Sequence, residues 1–142
     1  MDTAGRVLIV DDDAANRLVV RTILNGAGYE VGEAGDAFAA IDAIDRDNPH
    51  AVLLDIKMPG MDGLGLLENL RQRGVEVPVV VLTGHGDEFT AVSCLQAGAH
   101  AFLDKPPERA KLLLAVQGAV AHGKLADRPT VWPRNIYHPG RF

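Results

Sequence analysis

The sequence predicts an α/β protein, a doubly wound parallel sheet with helices on both faces. Three observations predict it. Short continuous apolar runs recur along the chain, the segments between them carry apolar residues at a spacing of three and four, and the polar residues suited to chemistry stand directly after the runs. A strand covered on both faces needs continuous apolarity, whereas a helix on a sheet shows one apolar stripe.

The elements follow in order. Val7-Leu8-Ile9-Val10 is the first strand, and Leu18, Val19, Ile23 and Leu24 mark the first helix. Tyr29 to Glu33 alternates, with Tyr29 and Val31 apolar around Glu30, and predicts an edge strand. Phe38, Ile41 and Ile44 mark the second helix, and Val52-Leu53-Leu54 is the third strand. Leu64, Leu67 and Leu70 mark the third helix, before a fourth strand of Val77 with Val79-Val80-Val81-Leu82. Phe89, Val92 and Leu95 mark the fourth helix, Ala101-Phe102-Leu103 the fifth strand, and Leu113, Val116 and Val120 the fifth helix, which starts near Glu108. Gly26 with Gly28, Gly74, Gly98 and Gly123 stand where helices end, and Asp36 and Asp87 where helix N-caps belong. In such a fold the loops after the strands carry the chemistry.

The chain has 142 residues, 47% hydrophobic and 23% charged, which is one domain's worth of ordinary globular sequence. No apolar run approaches the ~20 residues of a membrane span, and the N-terminus lacks a basic segment followed by an apolar one. The lone Cys94 can form neither an internal disulfide nor a cysteine zinc site, so a cytoplasmic protein is expected. Fourteen Lys and Arg stand against 19 Asp and Glu, and the imbalance is divided: residues 1–122 are acidic, whereas residues 123–142 carry four basic groups and one acid. The acidic body disfavours direct nucleic-acid binding. Residues 123–142 also hold Trp132, Tyr137 and Phe142 and show neither period, which predicts a basic, aromatic-containing extension on a domain of residues 1–122. Trp132, Tyr137 and Phe142 beside Arg134 and Arg141 have the composition of a contact surface, set against the alternative of a frayed terminus.

After the first strand come Asp11, Asp12 and Asp13; after the third, Asp55; after the fourth, Thr83; after the fifth, Lys105. Parallel neighbouring strands would bring these side chains to one sheet edge. Carboxylates roughly 5 Å apart repel by about 3 kcal/mol per pair at an effective dielectric near 20, so the cluster calls for a cation. All-oxygen ligands suit a hard ion, and a few carboxylates plus water suit Mg²⁺. With that ion, a lysine ammonium and a threonine hydroxyl around a phosphoryl group, one carboxylate can attack phosphorus. Each residue also has a plainer reading. Asp13 is a helix N-cap, Thr83 a cap or turn former, Lys105 before Pro106 a solvated lysine with a cis bond to proline, and Phe102 a core aromatic.

The segments Leu8-Ile9-Val10-Asp11-Asp12-Asp13, Leu53 to Gly63, Val81 to Gly86 and Phe102-Leu103-Asp104-Lys105-Pro106 resemble the receiver domain of two-component response regulators, over residues 5 to about 121. The resemblance implies a flavodoxin-like fold of strand order 2-1-3-4-5. It implies Asp55 as phosphoacceptor, Asp11, Asp12, Asp55 and the Lys57 backbone carbonyl around Mg²⁺, Thr83 and Lys105 on the phosphoryl group, and Phe102 as switch aromatic. Lys57 and His85 occupy positions that modulate phosphoryl lifetime in that family. Pro107 stands where a Phe is usual.

The function implied is a signalling switch rather than an enzyme, with no turnover beyond Mg²⁺-dependent phosphorylation and dephosphorylation of itself. A histidine kinase or phosphotransfer protein would donate to Asp55, and the face made by the fourth helix, fifth strand and fifth helix would act on an output protein. Twenty residues after 122 are too few for a helix-turn-helix module, so a stand-alone, chemotaxis-regulator-like receiver, monomeric or weakly dimeric, is expected. The alternative is a receiver fragment of a two-domain transcriptional activator, which Leu82 to Asp87 resembles. A receiver that binds partners without phosphorylation is disfavoured, because none of the key side chains is missing. A haloacid-dehalogenase-type phosphatase would share Asp11-x-Asp13, but it expects Thr or Val where Ala15 stands and needs room for a cap domain.

Overall fold

The computed structural model describes residues 3–58, 62–84 and 88–127. Strands β1 (Gly5–Val10), β2 (Tyr29–Ala34), β3 (Ala51–Asp55), β4 (Val79–Thr83) and β5 (Ala101–Asp104) alternate with helices α1 (Ala14–Gly26), α2 (Ala37–Asp47), α3 (Gly63–Gln72), α4 (Glu88–Gln96) and α5 (Arg109–Asp127). The sheet order is β2-β1-β3-β4-β5, and every pairing is parallel. Among the described residues no helix is long and apolar enough to cross a membrane.

Alternate residues of the central strands feed two cores, as the period of two dictates. Leu8, Val10, Val52, Leu54, Val79 and Val81 pack with α2, α3 and Cys94 of α4, while Val7, Ile9, Ala51, Leu53 and Val80 pack with α1 and α5. β3 and β4 are buried at every position, as continuous apolar runs require. The expected edge strand is β2, which lies beside β1 alone.

Several apolar residues face the other way from the expectation. Leu18 and Val19 on α1 and Phe38 on α2 are exposed, and the buried positions are Val20 and Leu24, and Ala37, Ala40, Ala43 and Ile44. On α4 the whole stripe is inverted: Phe89, Val92 and Leu95 are exposed, and Ala91 and Cys94 are buried. The physical reason is size. Small side chains let a helix backbone approach the sheet closely and bury the larger strand residues, and the hydrophobic effect rewards the total area removed from water. β5 is also an edge strand, with Phe102 43% exposed, rather than one covered on both faces.

Helix ends follow local chemistry. Asp36 accepts from the Ala39 N–H at 2.8 Å and caps α2 as expected, and Asp62 caps α3 through Gly65 N at 2.8 Å. Gly74 and Gly98 take φ of +80° and +103° just after α3 and α4, where a residue with a Cβ would be strained. Gly123 does not end a helix. α5 runs on to Asp127, and a Cβ at Gly123 would lie 1.9 Å from the His50 carbonyl oxygen, so this glycine lets α5 pack directly on the backbone that enters β3. The expected N-cap at Asp87 and the aromatic residues Trp132, Tyr137 and Phe142 lie outside the described residues, as do Arg134 and Arg141.

Candidate functional site

The order 2-1-3-4-5 reverses direction between β1 and β3, so the loops leaving these neighbouring strands part and open a crevice at their C-terminal ends. Asp11 follows β1 directly and Asp55 is the last residue of β3. Both are buried, as is Thr83 at the end of β4, and these three are the only buried polar or charged residues among those described. Asp12 is exposed at the crevice mouth. One carboxylate oxygen from each of Asp11, Asp12 and Asp55 lies within 4.8 Å of the others.

Lys105, which follows β5, reaches across β4 into this cluster. Its ammonium lies 3.0 Å from Asp55 Oδ2 and 3.7 Å from Asp11 Oδ2, and the Lys105–Pro106 peptide bond is cis. The solvated reading of Lys105 is therefore replaced by an ion pair with two buried acids. The Lys105 N–H donates to the Thr83 carbonyl at 2.7 Å, which ties the start of the β5–α5 loop to β4. The Thr83 hydroxyl lies 3.4 Å from the Leu103 carbonyl and 3.5 Å from Asp104 Oδ1, the outer limit of hydrogen bonding, so it is weakly held.

Backbone groups orient the acids. Asp11 Oδ1 accepts from the Asp13 N–H at 2.9 Å, and Asp55 Oδ1 accepts from the Lys57 N–H at 3.2 Å. Asp13 turns away and caps α1 through Ala15 N at 2.8 Å and Asn16 N at 3.3 Å, which is the plainer of its two readings. Burial raises the pKa of Asp55; the hydrogen bond and charge of Lys105 and the Lys57 N–H oppose this, and the Asp11 charge adds to it. Burial pulls the Lys105 pKa down, but its hydrogen bond to Asp55 and the charges of Asp55 and Asp11 outweigh that and raise it overall, so the lysine stays charged. Three carboxylates against one ammonium leave two negative charges uncompensated. An all-oxygen donor set with that deficit fits a hard divalent cation.

The Lys57 side chain is exposed, and His85 lies outside the described residues. Phe102, on β5 opposite Val81, is half out in solvent.

Two contributors carry no signal in the periodic pattern. Arg17 donates from Nη1 to the Asp11 carbonyl at 2.6 Å and pairs with Glu33 at 3.0 Å. Gly63 opens α3 against the site: its N–H donates to the Ile56 carbonyl at 2.8 Å, and a Cβ there would stand 2.8 Å from both the Asp55 oxygen and Ile56 Cα. The Asp62-Gly63 dipeptide reads in sequence only as part of a turn; an N-cap followed by a glycine is the signal that would have located the close approach.

Residues 7–117 match the family described as response regulator receiver domain. The transcriptional regulatory protein FixJ of Bradyrhizobium diazoefficiens is 36% identical over 136 residues, 96% of this chain and 66% of that protein. The C4-dicarboxylate transport transcriptional regulatory protein DctD of Pseudomonas aeruginosa is 40% identical over 119 residues, 84% of this chain and 26% of that protein. Among solved structures, the receiver domain of NtrX from Brucella abortus superimposes with a TM-score of 0.77 at 39% identity, covering 81% of this chain and 98% of that one. The chain thus spans about two thirds of one of these relatives and about a quarter of the other. With the parallel 2-1-3-4-5 sheet and the acid–lysine cluster at its reversal, this match means that the chain belongs to the response regulator receiver domain family.

Proposed function

We propose that the protein is a phosphoacceptor switch in which Asp55 takes a phosphoryl group from a histidine kinase or phosphotransfer protein. The observation that carries this reading is the burial of Asp55 between a charged lysine at 3.0 Å and two further carboxylates. Asp11, Asp12, Asp55 and the Lys57 backbone carbonyl would hold Mg²⁺, which when bound neutralises charge on the phosphoryl oxygens. An Asp55 carboxylate oxygen forms the new bond to phosphorus as the bond to the donor nitrogen breaks. Once phosphorylated, Asp55 no longer offers Lys105 a full carboxylate, so the ammonium turns to the phosphoryl oxygens. The weakly held Thr83 hydroxyl is free to follow, and its movement leaves room for Phe102 to turn inward.

The readout would be the α4-β5-α5 face, where Phe89, Val92, Leu95 and Phe102 are exposed and able to meet an output protein. In this reading Lys57 and His85 would set the lifetime of the acyl phosphate. The relatives named as transcriptional regulators favour a second form of the same reading, in which this switch controls a DNA-binding activator.

The test is incubation with Mg²⁺ and acetyl phosphate, followed by intact-mass analysis. One base-labile phosphoryl group is expected on the wild-type chain and none on Asp55→Asn. The same mass increase on the variant would show that Asp55 is not the acceptor.

A further inference from the structure

We propose that Arg17 is a positioning residue for the cation site, and that it acts by fixing the peptide unit from which Asp12 projects. The proposal rests on reading Asp11, Asp12 and Asp55 as a Mg²⁺ site. Asp12 is exposed, and among the described residues none donates a hydrogen bond to its carboxylate, so its direction is set by its backbone. On its C-terminal side that backbone is held by the Asp13 N–H, which donates to Asp11 Oδ1 at 2.9 Å, and its N-terminal side is held from outside the loop. The Asp11 N–H donates to the Ala34 carbonyl at 3.1 Å, and the Asp11 carbonyl accepts from Arg17 Nη1 at 2.6 Å. This carbonyl belongs to the Asp11–Asp12 peptide unit, which is planar, so holding its oxygen fixes the plane and the direction in which Asp12 leaves it.

Arg17 is itself anchored. Its Nε lies 3.0 Å from Glu33 Oε1 on β2, and the other Glu33 oxygen meets Arg21, one helical turn along α1, at 2.5 Å. The edge strand thereby connects through Glu33 and Arg17 to the mouth of the site. A lysine could satisfy either Glu33 or the Asp11 carbonyl but lacks the rigid fork that reaches both.

Charge and positioning predict opposite signs. Arg17 is a cation beside an anionic site, so removing it should strengthen Mg²⁺ binding if only its charge matters. If it positions Asp12, removing it should weaken binding.

The experiment is calorimetric titration of Mg²⁺ into the full chain, with thermal melting in EDTA as a check on folding. We expect Arg17→Met to raise the Mg²⁺ Kd by about tenfold, the lower end for loss of a partner that orients a metal ligand. Arg17→Lys and Glu33→Gln should shift it the same way by smaller factors, and these two carry the test if Arg17→Met fails to fold. In an Asp12→Asn background Arg17→Met should change the Kd by less than about twofold, because the group it positions is gone. A Kd that is unchanged or lower in a folded Arg17 variant would overturn the proposal. Absence of Mg²⁺ binding by the wild-type chain would instead overturn the reading of the site on which it rests.

Discussion

Replacing Asp55 by asparagine should abolish phosphoryl acceptance and at the same time stabilise the fold. The Asp55 carboxylate attracts Lys105 at 3.0 Å by about 5.5 kcal/mol at an effective dielectric near 20, and Asp11, within 4.8 Å, repels it by about 3.5 kcal/mol. Asp12 adds a further repulsion, reduced by its exposure to solvent. These terms come close to cancelling. What remains is the cost of holding an ion away from water, several kcal/mol for a carboxylate and far less for an amide. That balance, with burial as its largest part, is why the Asp55 pKa is raised. Asparagine keeps the shape and can still accept from the Lys57 N–H, so a gain of about 1–2 kcal/mol is expected, or about 4–8 °C in Tm.

The pH dependence of that gain has a definite sign. Because the folded-state pKa of Asp55 lies above its ordinary value of 3.8, the folded protein binds this proton more tightly than the unfolded chain does. The stability contributed by protonated Asp55 is complete below 3.8 and is lost as pH rises through the raised folded value. Asparagine does not titrate, so the advantage of the variant should be absent in acid, open as pH rises through that value, and be complete at neutral pH. Urea unfolding of both proteins in EDTA across this range measures it. Added Mg²⁺ should narrow the gap, since it binds the folded wild type more tightly than the variant. A variant no more stable than wild type at neutral pH without metal, or a gap indifferent to pH, would refute the argument.

Three further outcomes follow from the packing and the site. Gly63→Ala puts a Cβ 2.8 Å from the Asp55 oxygen and Ile56 Cα, both backbone atoms, and should cost about 1–3 kcal/mol while slowing phosphorylation by acetyl phosphate; full stability and rate would mean that α3 can shift freely. Gly123→Ala, against the His50 carbonyl, should cost at least as much in urea unfolding, whereas Gly26→Ala, with nothing within 4 Å, should be neutral or gain up to about 1 kcal/mol; reversal of that order would contradict the packing of α5. Lys57→Ala with His85→Ala should shorten the lifetime of phosphorylated Asp55 in excess Mg²⁺, and a decay that is unchanged or slower counts against lifetime control by these side chains.

The alternation of elements was legible because helix and strand periods are local. Leu64, Leu67 and Leu70, or Val79 to Leu82, declare their conformation through neighbours a few positions away. Asp11, Asp55, Thr83 and Lys105 were legible for a related reason: each follows or ends a strand, where parallel α/β folds place their chemistry. Which side of a helix faces the core was not legible on α4, where Phe89, Val92 and Leu95 form the more apolar stripe and Ala91 and Cys94 are the buried one. Period identifies a stripe, but burial depends on the shape and size of what the helix meets. The sequence by itself determined the order of elements, the family and the chemical kinds of residue at the strand ends. Tertiary structure alone decided that Lys105 spans Asp55 and Asp11, that Gly63 and Gly123 are points of backbone contact, and that Arg17 holds the Asp11 carbonyl. Those contacts join residues on different elements, whose separation is set by the packing of the whole sheet and not by any local period.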